Sequence, residues 1–281
     1  MNRKQWAKEQ MQEMVTHGVS YVTFPAFTHT GLVKHLFTTR IGGVSEGYLG
    51  SMNLSYSRGD KKENVDENYR RISEILACDM EDFVVSDQTH TTNIYKVTAA
   101  DRGKGVLREK DYHDIDGLIT NEKGIVLTTM FADCVPLYIL DPVNKAIGLV
   151  HSGWRGTVNK IGKVAIEAMT KEYGTNPADI IVGIGPSICK DCYEVSMDVA
   201  DAFRMAFLNS GMLEKIVLPK NEEKAMLDLW QANQAVFLEA GVLAKNIHVT
   251  DLCTCCNPEV FFSHRASNGK RGNLAAFLAL N

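Results

Sequence analysis

The stretch "FADCVPLYILDPVNKAIGLVHSGWRG", residues 131–156, decides the fold. It contains two short apolar runs, "VPLYIL" and "KAIGLVH", joined by "DPVN". Apolar runs of this length, rich in branched side chains, read as buried strands, and the Asp-Pro and Asn between them signal a turn. The turn makes the pair antiparallel, so the start of the first strand lies beside the end of the second. Cys134 stands at that start and His151 at that end. A thiol and an imidazole therefore converge at one edge of a sheet, where rigid backbone suits the fixed geometry of a metal site. A catalytic zinc takes three protein ligands and keeps a fourth position for water, so a third ligand is required. His90 in "SDQTHTTNIY" is the favoured candidate and His264 in "FFSHRAS" its rival. His17, His29 and His35 have no companion ligands nearby in sequence. His113 and His248 sit among acidic or apolar neighbours and read as structural.

The segment that follows the second strand, "HSGWRG", places Gly153 and Gly156 around Trp154 and Arg155, with a helix expected to open at Thr157. Free N–H groups at a helix start, with an arginine beside them, form an anion site. A second basic cluster, "FFSHRASNGKRGN", gathers Ser263, His264, Arg265, Lys270 and Arg271 in a glycine-bearing loop suited to phosphate or ribose. Phe261 and Phe262 beside it are candidates to seat an aromatic ligand.

Farther out, "ENVDENYRRISEIL" carries apolar residues at helical spacing and predicts a helix over residues 63–77. "DFVVSDQTHTTNIYKV" reads as two strands around a turn that carries His90. "TVNKIGKVAIEAMTKEYG" is an amphipathic helix stopped by Gly174, "SMDVADAFRMAFL" and "DLWQANQAVFLEAG" are further helices, and "GNLAAFLAL" is a final helix or strand. The N-terminal "MNRKQWAKEQMQEMVTHG" reads as a helical extension over residues 1–20, with Trp6, Met11 and Met14 on one side. Residues 38–60 are too punctuated by glycine for regular structure and read as a functional loop. Strands and helices mixed throughout imply one α/β or α+β domain, with helices packed on a mixed sheet.

The chain has 281 residues, 45% hydrophobic and 23% charged, with a formal net charge of -4. This is a globular composition, and its mild acidity argues against a nucleic-acid partner. It lacks an apolar run of roughly 20 residues that would span a bilayer, and the N-terminus lacks the features of a signal peptide. The expected location is cytoplasmic, with no membrane partner. Seven cysteines in such a chain point to metal ligation or catalysis rather than a disulfide framework. Five of them fall in "CKDC" (Cys189, Cys192) and "CTCC" (Cys253, Cys255, Cys256). The second group reads as lacking the knuckle spacing of a structural zinc site, which leaves a second metal open and pocket-lining or core thiols favoured. No GxSxG elbow or P-loop is present, and "GIGPS" lacks the third glycine of a dinucleotide fingerprint.

Four ordered segments, "ADCVPLYILDP", "GLVHSGWRGTVNKI", "GIGPSICKDCYEV" and "CTCCNPEVFFSHRASNGKRGNLAAF", together resemble the laccase-domain, or polyphenol-oxidase-domain, family. The similarity begins near "HLFTTRIGGVSEGYLGSMNLS" and runs to the C-terminus. The resemblance implies a single domain, with a fold likened to a bacterial toxin deamidase. It further implies a zinc-dependent purine nucleoside phosphorylase acting on adenosine, inosine, guanosine and 5'-methylthioadenosine, with adenosine deamination as a further activity. The family's ligand motifs map onto Gln88-Thr89-His90, Ala132-Asp133-Cys134 and His151-Ser152-Gly153-Trp154-Arg155, which selects His90 over His264 as the third ligand of one Zn²⁺. Where the family often continues the first motif as His-Gly, this chain has His90-Thr91-Thr92.

On that basis Asp133 is the expected proton carrier, and Arg155, Arg265, Lys270 and Arg40 the expected anion holders. Gln88, Trp154, Ser263 and His264 complete the expected substrate contacts. Purine nucleosides and phosphate are the expected partners, and the chain is expected to be a monomer or homodimer. Copper oxidation of phenols is the alternative chemistry, disfavoured because the eight histidines include no His-x-His pair. A non-catalytic nucleoside- or metal-binding protein is the other alternative.

Overall fold

In the computed structural model, residues 10–281 are described. Two mixed six-stranded sheets pack face to face, with helices on both outer faces. The first sheet runs in the order β1 (Gln12–Thr16), β2 (Val19–Thr23), β3 (Val33–Thr38), β15 (Leu274–Leu280), β7 (Val126–Phe131) and β4 (Phe83–Val85). The second runs β14 (Ile247–Val249), β10 (Ile181–Ile184), β8 (Val135–Asp141), β9 (Ala146–Ser152), β6 (Gly117–Thr120) and β5 (Ile94–Lys96). The pairs β4–β7, β5–β6 and β10–β14 are parallel and the remaining neighbours antiparallel. A small third sheet joins β11 (Glu194–Ser196), β13 (Lys224–Leu227) and β12 (Val217–Pro219).

Strand periodicity explains the layering. Along β15, Leu274, Ala276, Leu278 and Leu280 point into the space between the sheets, while Ala275, Phe277 and Ala279 face a helix, α2 (Lys62–Leu76). Along β8, Tyr138 and Leu140 point between the sheets, while Val135, Leu137 and Ile139 face α4 (Ile161–Tyr173) and α7 (Leu229–Glu239). Both faces of β8 and β9 are covered, so every residue of the two strands is buried. This is why they read as unbroken apolar runs rather than alternating ones.

Several expectations are met, and others change for stated reasons. The β8–β9 hairpin forms with Val135 opposite Ser152 and Pro136 opposite His151. The helix expected over residues 63–77 spans Lys62–Leu76 and ends on Ala77 in the left-handed region. The two strands around His90 exist, but β4 belongs to the first sheet and β5 to the second, so they form no hairpin. The helix expected to open at Thr157 is divided into α3 (Trp154–Val158) and α4, because Lys160 adopts a left-handed conformation between them. Gly174 then caps α4, itself left-handed. "GNLAAFLAL" forms strand rather than helix, held between β3 and β7.

The helical extension over residues 1–20 gives way to a hairpin where the chain is described. His17 and Gly18, both with positive φ, make a two-residue turn of the kind that joins tightly paired strands, and β1 pairs with β2. Trp6 lies outside the described residues. No helix of the described residues is long and apolar enough to cross a membrane.

Candidate metal centre and its cavity

The chain crosses from the first sheet to the second at two places near one edge. Residues 86–93 lead from β4 to β5 and carry His90; residues 132–134 lead from β7 to β8 and end on Cys134. His151 lies one residue from the end of β9, across the ladder from Pro136. One ligand atom from each of His90, Cys134 and His151 falls within 4.8 Å of the other two. The imidazoles of His90 and His151 meet edge to face, with centroids 5.0 Å apart.

One buried carboxylate organises this trio. Asp116, fully buried at the start of β6, accepts the Nδ1 proton of His151 at 2.8 Å, so in the neutral ring the other nitrogen carries the lone pair that a metal would take. The same carboxylate accepts the backbone N–H groups of Thr89 at 3.1 Å, His90 at 3.1 Å and Thr91 at 2.8 Å. Burial raises the proton affinity of Asp116, but the hydrogen bonds from His151 and the Thr91 and Thr89 amides outweigh it and hold the group below its ordinary range. Burial likewise disfavours a charged His151; the neighbouring Cys134 and Asp116 overcome this and raise it to about 9. His90 moves the other way, lowered by burial and by the nearby His151 and Arg155.

Gly153 is required here. A Cβ at this position would stand 2.4 Å from His90 Nδ1 and 3.3 Å from Cys134 Sγ, so only bare backbone fits against the ligands. The set of two imidazoles, one thiol and an oriented tautomer fits a borderline-soft divalent ion with one position left open.

The trio opens onto a cavity of about 440 Å³ lined by Tyr56, Arg58, Gln88, Phe131, Arg271 and Asn273, among others. Arg58 donates through Nε to Asn273 Oδ1 at 3.3 Å, and Arg271 bonds the same oxygen. The Nε of Arg271 is buried with no hydrogen-bond partner. Burial, and then repulsion from Arg58, lowers the Arg271 guanidinium to about 10. Two cations held against each other at the wall of a cavity make a strong anion site.

The other residues singled out from the sequence occupy distinct places. Gln88 lines the cavity, yet its amide is spent pairing with the backbone of Met130, donating to its carbonyl at 2.8 Å and accepting its N–H at 2.7 Å. It ties the His90 loop to the edge of β7. Asp133 adopts φ +87°, and its carboxylate accepts Thr254 Oγ1 at 2.6 Å and the backbone N–H of Arg265 at 2.7 Å. Trp154 is half-buried, with the exposed Arg155 stacked on it at 4.3 Å.

Arg40 donates to the carbonyls of Gly50 and Pro258, each at 2.8 Å, and lies over the Phe262 ring. Arg265 donates to the carbonyls of Cys192 at 3.0 Å and Glu194 at 2.9 Å. Ser263 caps α8 (His264–Ser267) by accepting the Ala266 N–H, and His264 is exposed. Lys270 borders two smaller cavities outside the metal trio. Phe261 and Phe262 are buried in the core between the sheets. Of the basic C-terminal loop, Arg271 is thus the member that reaches the cavity.

Asp116 and Arg58 were not found by reading the sequence. "DIDGLI" does place an acidic residue directly before an apolar strand, which was a usable signal. Arg58 sits in the glycine-rich loop and carries no local pattern.

Residues 34–281 match the profile of a family described as multi-copper polyphenol oxidoreductase laccase. The chain is 38% identical over 248 residues to the purine nucleoside phosphorylase YlmD of Bacillus subtilis, covering 87% of each protein. Among solved structures, it is similar to YlmD from Geobacillus stearothermophilus, with TM-score 0.87 and 33% identity, covering 98% of this chain and 100% of that one. It is also similar to the Bacillus licheniformis hypothetical protein YfiH, with TM-score 0.88 and 35% identity, covering 95% of this chain and 97% of that one. Matched over most of its length, the chain belongs to the multi-copper polyphenol oxidoreductase laccase family.

Proposed function

We propose that this chain is a zinc-dependent purine nucleoside phosphorylase. The observation that carries the reading is one cavity walled on one side by His90, Cys134 and His151 and on another by the guanidinium pair Arg58 and Arg271. A nucleoside fits a space of this size, and the paired cations suit inorganic phosphate. Relatives that match most of the chain carry the phosphorylase name. Adenosine, inosine, guanosine and 5'-methylthioadenosine are the proposed substrates. The products are the free base and ribose 1-phosphate, or its 5-methylthio counterpart. A phosphate oxygen bonds C1' as the C1'–N9 bond breaks, and the departing base takes up the proton that the attacking hydrogen phosphate gives up.

A zinc ion at the trio would supply Lewis acidity beside the substrate. The chain's own residues do the remaining work. Asp116 keeps the lone pair of His151 aimed at the ion and pins the His90 loop. Arg58 and Arg271 hold phosphate in two orientations at once. Tyr56 and Phe131 contribute aromatic wall to the same cavity. Asp133, with both carboxylate oxygens engaged by Thr254 and Arg265, acts as a positioning residue for the Cys134 turn rather than as a proton carrier. Adenosine deamination is proposed as a further activity of the same open site. Asp87, which lines the cavity and is paired with Lys110, is the carboxylate available to it.

Zinc is preferred to copper on the donor set. The described residues gather one mixed trio and one all-thiol group, whereas oxidation of phenols by several copper ions calls for more histidine ligands. The test is incubation of protein purified without added metal with inosine and phosphate. Hypoxanthine and ribose 1-phosphate should form, and His151→Ala should abolish their formation and release one zinc. Turnover and zinc content unaltered by His151→Ala would sink the reading.

A further inference from the structure

We propose that Cys189, Cys192, Cys253 and Cys256 form a second, structural zinc site with four thiolate ligands. Their sulfurs all lie within 4.8 Å of one another, although they come from loops more than sixty residues apart. Cys192 Sγ is 3.4 Å and Cys189 Sγ 3.9 Å from Cys256 Sγ. Four sulfurs each about 2.3 Å from a tetrahedral zinc stand about 3.8 Å apart, so the pocket has the width of one ion. Disulfide bonding would need about 2.05 Å between sulfurs, and all seven cysteines are free.

The pairing corrects the spacing read from "CTCC". Taken as a block, those residues lack a knuckle; taken as Cys253 and Cys256, with Cys255 left out, they are C-x2-C, matching Cys189 and Cys192. Cys255 is half-buried against the core cluster to which α5 (Met197–Phe207) and α7 contribute.

The backbone is already arranged for a thiolate. Cys253 Sγ accepts two N–H groups, from Cys189 at 3.2 Å and from Cys256 at 3.3 Å. Such bonds stabilise negative sulfur and are recurrent supports of metal thiolates. The two loops are also stitched by backbone, Ser187 N–H donating to Leu252 at 3.3 Å and Thr254 N–H to Ser187 at 3.0 Å. With no ligand position left over, the ion closes the site and cross-links the two loops. The cross-link has a mechanical target. Thr254 lies between the two knuckle cysteines and donates to Asp133, the residue before Cys134. The ion thus fastens the rear of the turn that carries Cys134.

This site does not depend on the phosphorylase reading, and its test is separate from activity. Metal is counted by mass spectrometry on wild-type protein and on His90→Ala/His151→Ala, which leaves all four thiols intact. Two zinc ions per wild-type chain and one in the double variant are expected, the latter lost on Cys256→Ser. Replacing zinc by cobalt(II) in the double variant should produce intense thiolate-to-metal absorption in the near ultraviolet. A double variant that binds no zinc and no cobalt would overturn the proposal. So would a Cys192–Cys256 disulfide in freshly purified protein, or iron in place of zinc.

Discussion

His90, Cys134 and His151 come from three separate segments and mix nitrogen with sulfur, whereas Cys189, Cys192, Cys253 and Cys256 come as two matched pairs and offer sulfur alone. The two clusters share one support. Asp133 precedes Cys134 on one side and accepts the Thr254 hydroxyl from the thiol knuckle on the other. They differ in what they leave open. The mixed trio faces a cavity with two arginines, while the thiol cluster supplies four ligand positions by itself. Position count separates a reactive ion from a structural one, and here a single fold places a three-ligand cluster and a four-thiol cluster on either side of a short turn.

That contrast can be broken in order of effect. Cys134→Ser should reduce phosphorolysis of inosine by about a thousandfold or more while the zinc at the four-thiol cluster is retained. Equal loss of metal from both clusters would show that they are one cooperative unit.

Acid sensitivity supplies the next largest effect and separates metal release from unfolding. His35 is buried with its Nε2 accepting the Phe24 N–H at 2.8 Å, and burial lowers it from 6.5 to about 4. The unfolded chain therefore binds a proton that the folded chain refuses between those values, so stability falls as pH drops from about 6.5 to 4. The loss attributable to this group is about 3 kcal/mol. Denaturant titrations at pH 7 and pH 4 should show it, and His35→Gln, which keeps an acceptor, should flatten the difference.

Asp116→Asn tests the support of the open cluster. It should weaken zinc at the trio by about 10- to 100-fold in chelator competition and leave the thiol site untouched. The smallest effect is expected at the far wall of the cavity, where Arg58→Ala should raise the KM for phosphate by about tenfold with little change in that for inosine. An equal rise in both would place phosphate elsewhere.

Much of the open cluster was legible. Cys134 and His151 converge because a short turn between two apolar runs dictates antiparallel pairing, and the observed register brings His151 opposite Pro136. The strands' full burial follows from the same composition. His90 was favoured from its place between two strands and selected over His264 through family resemblance, since its loop joins strands of different sheets and no local pattern encodes a crossover. Arg40 and Arg265 looked available because a sequence shows charge but not the backbone carbonyls that occupy it. The thiol site was obscured by a third cysteine inside its second knuckle.

By itself, then, the sequence determined the hairpin, the outer helices, the absence of a long apolar span and the supply of thiols and imidazoles, because each depends on periodicity or turn chemistry over a few residues. Only the tertiary structure decided that two sheets pack face to face and that Asp116 orients one imidazole while pinning the loop of another. It also decided that Arg58 meets Arg271 across more than two hundred residues of chain, and that Cys255 is excluded where Cys256 is used. Those outcomes depend on which buried polar groups find partners after the layers close, a condition set by the whole packed core rather than by neighbours in sequence.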